Sequence, residues 1–116
     1  MPFVLLKRRQ KVKRLIAQDL DSYYVILEDI VNENKNAFVC RTEGEARKLF
    51  EQEINDNFMD DIITKSEFEE AYGKSYDQVM QECSLDCDDG HCVVEQHTEE
   101  EIQQLNNDEG YITIWL

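Results

Sequence analysis

The chain is expected to fold as a small α+β domain, and three observations predict it. Its 116 residues provide for one hydrophobic core. Runs rich in aromatic and β-branched residues alternate with segments of helical periodicity. Four Ser/Thr-x-x-Glu/Gln sequences, Thr42/Glu45, Thr64/Glu67, Ser75/Gln78 and Thr98/Glu101, stand where a helix would begin, because hydroxyl and acid or amide can each satisfy an orphaned backbone N–H. The element order predicts a mixed or antiparallel sheet of about four strands, with three to four helices packed mainly on one face. A content of 41% apolar residues with one Pro and four Gly belongs to a folded chain. Charge divides it into a basic segment, residues 1–18, and an acidic α+β domain, residues 19–116.

Phe3-Val-Leu-Leu6 suits a short strand, and the basic run after it offers only Val12, Leu15 and Ile16 at helical spacing. Ser22 to Val31 is aromatic and β-branched, Asn32 to Asn36 has turn chemistry, and Ala37 to Arg41 is apolar again, which predicts two strands joined as a hairpin. Ile16, Leu20, Tyr23, Leu27 and Ile30 also fit one helical stripe, so a single helix from about 11 to 31 competes. After Thr42, the residues Ala46, Leu49, Phe50, Ile54 and Phe58 recur at spacings of three and four, predicting a helix to about residue 58. Residues 65 to 83 read as two short helices bent at Gly73, with Phe68, Ala71 and Tyr72 on the first apolar face and Tyr76, Val79, Met80 and Cys83 on the second. Cys83 to Gly90 has loop composition and His91 to Gln96 is strand-like. Thr98 opens a solvated helix anchored by Ile102 and Leu105, Asn106 to Gly110 is a turn, and Tyr111 to Leu116 is a strand with apolar groups on both faces.

Charge bounds the function. Lys7, Arg8, Arg9, Lys11, Lys13 and Arg14 give the first 18 residues +6, whereas the remainder holds 26 acids against six bases, for a net charge of −14. Small soluble domains carry about 2 to 8 units, so the acidic part repels itself and also repels nucleic acid and anionic lipid. No apolar run approaches the roughly 18 residues that cross a bilayer. The start lacks the charge-then-apolar order of a secretory signal, so a cytoplasmic location is expected, with its cysteines reduced.

Cys83, Cys87, Cys92, His91 and His97 gather three thiols and two imidazoles within 15 residues, an inventory that suits Zn²⁺. Their spacing departs from the paired two-residue knuckle of structural zinc sites, so each is also read as a core thiol or surface imidazole. Acids around these thiols disfavour thiolate chemistry. Asp86, Asp88, Asp89 and Gly90 fail the positional pattern of an EF-hand. With no phosphate loop, catalytic triad or His-Glu-x-x-His motif, the chain is read as a binding protein, not an enzyme, and no cofactor other than zinc is expected.

Acids cluster at Asp60-Asp61, at Glu67/Glu69/Glu70, at Asp86/Asp88/Asp89, at Glu99-Glu100-Glu101 and at Asp108-Glu109. If several share a face they imitate the phosphate rows of a duplex and attract the Lys/Arg-lined groove of a basic protein partner, such as a nucleic-acid enzyme. Asp60, Asp61, Glu67, Glu69, Glu70, Glu99, Glu100 and Glu101 are the candidate partner-binding residues. Phage-encoded inhibitors of restriction or CRISPR nucleases and immunity proteins of nuclease toxins work in this way, an analogy of class carried by no motif. The alternative is a zinc-stabilised adaptor module built on the Cys83–Cys92 cluster. The basic residues 7–14 are expected to fold back on the acidic surface.

Overall fold

A computed structural model describes residues 22–31, 34–59 and 61–116. The basic segment, the strand read at Phe3–Leu6 and the candidate Asp60 lie outside the described residues. Strand β1 (Tyr23–Ile30) is followed by β2 (Lys35–Cys40), helix α1 (Glu43–Glu53), a π-helical turn (Ile54–Phe58), α2 (Lys65–Tyr72) and α3 (Tyr76–Glu82). Then come β3 (Ser84–Cys87), β4 (Gly90–His97), α4 (Glu99–Glu109) and β5 (Ile112–Trp115). The five strands form one mixed sheet in the order β3-β4-β1-β2-β5, antiparallel throughout except for the parallel pair β2/β5. Among the described residues no helix is long and apolar enough to cross a membrane.

The central strand explains the two-way reading of residues 22–31. Val25, Ile26, Leu27 and Glu28 are all buried, because both faces of the sheet are covered and β1 needs apolar groups on each. On one face Ile26, Cys40, Leu85 and Cys92 meet Ala46, Phe50, Ile54, Phe58, Phe68 and Val79 of the first three α-helices and the π-helical turn. Phe68 also stands edge-on to Tyr72 and Tyr76, with ring centroids 4.8 and 5.5 Å away. On the other face Val25, Leu27, Ala37 and Val39 receive Ile102 and Leu105 of α4 together with Tyr111. The helices therefore lie mainly on one side, with α4 as the exception.

Local chemistry starts and stops these elements where expected. Thr64 and Thr98 form complete capping boxes with Glu67 and Glu101. Thr42 and Ser75 accept from Glu45 and Gln78 without a described return bond. Gln78 instead donates to Glu82. One expectation changes: the stretch Cys83–Gly90 holds a four-residue strand, because β3 pairs with β4 through Leu85↔Cys92 and Ser84↔Val93 and the loop composition belongs only to its tight turn. At that turn Gly90 has φ +132°, and a Cβ there would lie 2.1 Å from the Asp29 carbonyl oxygen. The hairpin can approach the end of β1 only without a side chain at this position, and the Val31 N–H to Asp89 carbonyl bond at 3.0 Å fixes that approach.

Candidate functional site

Two connections bound an open cleft of about 620 Å³: the link from the π-helical turn to α2 on one side, and the β3–β4 hairpin on the other. Register sets the second wall. Pairing of Cys87 with Gly90 puts Asp88 and Asp89 at the tip of the hairpin, while Asp86, opposite His91, is turned to the other face of the sheet. Asp61 enters from the opposite side, while Phe58, Ile62 and Tyr72 supply apolar surface between the acids. No Lys or Arg is among the described lining residues, so the exposed acids Asp61, Asp88 and Asp89 surround a common space without an internal counter-ion.

Tyr72 forms the strut of the cleft. Its hydroxyl donates to the Phe58 carbonyl at 2.6 Å and lies 3.2 Å from Asp89 Oδ2, joining α2 to the π-helical turn and the hairpin. Burial, then the hydrogen bond and charge of Asp89, push its phenol up to about 12, so it is a neutral donor at physiological pH. Beside it, burial first of all pushes the Cys87 thiol up, away from nucleophilic chemistry.

Behind Phe58 and Asn57 lies a second acidic feature, buried rather than open. Glu28 of β1 is only 2% exposed. Its Oε1 accepts from Asn36 Nδ2 and its Oε2 from Asn57 Nδ2, both at 3.1 Å. Asn57 Nδ2 also reaches Glu53 Oε1 at 3.1 Å and the Glu53 carbonyl at 3.3 Å. Glu53 is hydrogen-bonded to Glu28, and its carboxyl is pushed up to about 8, by burial first and then by that bond, by the Glu28 charge and by Asp56. Since both oxygens of Glu28 already accept from amides, the proton between the two acids belongs to Glu53. An acid inside an apolar strand is the signal that marks Glu28 in the sequence.

No protein-family model matches this chain, and no curated protein or solved structure shows significant similarity to it.

The candidate acids are divided by the sheet. Asp61 lines the cleft, and Glu69 and Glu70 are exposed on α2 in the same layer. Glu67 accepts from the Ile63 and Thr64 N–H groups at 2.9 and 3.1 Å, so its carboxylate serves the capping box. Glu99, Glu100 and Glu101 open α4 on the opposite face of the sheet. Glu101 accepts from the Thr98 N–H at 2.8 Å, and that bond above all holds its carboxyl below the usual range. The acids that converge are instead Asp61, Asp88 and Asp89. The last two belong to a cluster in the sequence, but only the tip of the hairpin brings them towards Asp61, and the third member, Asp86, pairs with His91 on the other face.

The Cys/His set is also divided. Cys92 points to the helical face, where burial, then the charges of Glu28 and Glu53, push its thiol up. Alternation along β4 sends His91 and His97 to the other face. There His91 Nε2 lies 3.1 Å from the Tyr111 hydroxyl, and His97 Nε2 lies 2.7 Å from Glu95. Cys83 caps α3 in the left-handed region at φ 51°, with its thiol donating to the Met80 carbonyl. Among the described residues no group of three or more His, Cys, Asp or Glu is placed to hold a metal ion, and all four cysteines are free thiols.

Proposed function

We propose that this protein is a small acidic binding protein whose anionic surface occupies the basic, nucleic-acid-binding site of a protein partner and thereby inhibits it. The observation that carries this reading is the meeting of Asp61, Asp88 and Asp89 around a cleft that also holds Phe58, Ile62 and Tyr72 and has no described cation in its lining. Such a cleft suits a Lys or Arg side chain, whose methylene stem lies on Phe58 and Ile62 while its head group meets the carboxylates. Focusing of the field between low-dielectric walls raises the local concentration of cationic groups, and the overall charge of −14 steers the encounter. Glu69 and Glu70 extend the negative potential along α2.

A labelled hexa-arginine peptide provides the test, with binding followed by fluorescence anisotropy at low and high salt. Neutralising the cleft with Asp61→Asn, Asp88→Asn and Asp89→Asn together should abolish most of the salt-sensitive affinity. Glu99→Gln with Glu100→Gln, on the opposite face, should leave most of it. Equal losses from the two sets would reduce the cleft to a part of a diffuse charge and overturn the reading.

A further inference from the structure

Asn57 belongs to two places at once. It lines the acidic cleft, and its amide nitrogen bridges the buried Glu28 carboxylate and the Glu53 carboxyl. The π-helical turn is what allows this, since its wider spacing continues α1 and turns Asn57 towards β1 while Phe58 enters the core. Charged and polar groups reach the pair from every element packed on it: Glu28 from β1, Asn36 from β2, Cys92 from β4, and Asp56 and Asn57 from the turn itself. Among the described residues no ion pair includes Glu28 or Glu53. Two neighbouring carboxyl groups therefore stand with no described cation beside them, in a position where ionising both costs far more than in water.

We propose that Glu28, Glu53 and Asn57 form a proton-operated latch on the wall of the acidic cleft. With the proton in place, Glu53 donates to Glu28, Asn57 spans both, and the turn holds Asn57 and Phe58 against the cleft. When the proton leaves, the two carboxylates repel. Glu53, the half-buried member, is the one that can swing towards water; it then releases Asn57, and the turn slackens. The latch rests on the cleft reading for its purpose, since a loosened wall weakens the grip on a cationic side chain, but its chemistry exists without any partner.

The direction with pH follows from the sign of the shift. The Glu53 carboxyl stands near 8 in the fold against an ordinary value of 4.5, so the folded state binds the proton more tightly than the opened one. Stabilisation of the turn is complete below about pH 4.5 and is lost as pH rises towards 8. Linkage sets the ceiling at roughly fifty-fold in local opening between pH 6 and pH 8.

Hydrogen exchange of the Ile54–Phe58 amides, expressed as protection factors on the free protein, provides the test. Protection should fall by ten-fold or more, on the order of that ceiling, from pH 6 to pH 8. Glu53→Gln keeps a donor for Glu28 and an acceptor for Asn57 without a titrating group, so its protection should stay flat over the same interval. Hexa-arginine affinity should fall across this range in the wild type relative to Glu53→Gln. Protection that does not change with pH in the wild type, or changes equally in Glu53→Gln, overturns the latch. A steep wild-type profile with no peptide bound at any pH removes the cleft reading and leaves the latch standing. A steep profile with identical affinities in the two proteins overturns the coupling between them.

Discussion

Replacing Tyr72 with Phe removes one oxygen and so isolates the strut that joins α2 to the π-helical turn. The hydroxyl has a single proton, and the Phe58 carbonyl at 2.6 Å takes it in preference to Asp89 at 3.2 Å. Asp89 is exposed and can turn to water, so its loss adds little. The carbonyl belongs to a buried residue at the end of a helical segment, where the hydroxyl is its described partner. Leaving such an acceptor unpaired costs about 1 to 3 kcal/mol, and the ring packing on Phe68 is retained. The expected loss is about 1 to 2 kcal/mol, or roughly 3 to 10 °C in melting temperature for a domain of this size. Urea denaturation reads it as a lower midpoint with an unchanged slope. Tyr76→Phe is the internal control, because the Tyr76 hydroxyl donates at 3.2 Å to the exposed carboxylate of Glu51 and should lose less. If Tyr72→Phe loses no more than Tyr76→Phe, the hydroxyl is not a strut and the rigidity assigned to the cleft floor is mistaken.

Gly90→Ala should be far more disruptive than its size suggests, because the new methyl group would meet the rigid Asp29 backbone at 2.1 Å. A loss of about 3 kcal/mol or more is expected, together with loss of hexa-arginine binding as the hairpin leaves β1; a variant with wild-type melting temperature would contradict the described approach. Metal analysis of protein purified without a histidine tag should find no stoichiometric zinc, and a chelator should leave the thermal transition unchanged, since the sheet separates Cys92 from His91 and His97. Zinc at one equivalent per chain would favour the adaptor reading instead.

Much of the fold was legible locally. The Thr64 and Thr98 boxes start helices where their hydroxyls and acids stand, and the bend at Gly73 falls where a left-handed residue ends α2. Strand β3 was hidden, because two apolar positions in four residues beside an Asp-rich turn carry no periodic signal, and only pairing with β4 makes them a strand. The same hairpin explains why the acidic site was only partly visible. Asp61 and Asp89 are far apart along the chain, and no spacing rule connects residues that a hairpin tip and an interhelical link bring together.

The amino-acid sequence by itself determined the α+β class, most element types and the large negative charge, because caps, turns and alternation act over a few residues. Tertiary structure alone decided which carboxylates face one another: it set Glu99–Glu101 on the far side of the sheet, gathered Asp61 with Asp88 and Asp89, and placed Glu53 against Glu28. Charge is counted residue by residue, but a potential or a shared proton depends on distance through space, and that is fixed by strand order, register and helix packing.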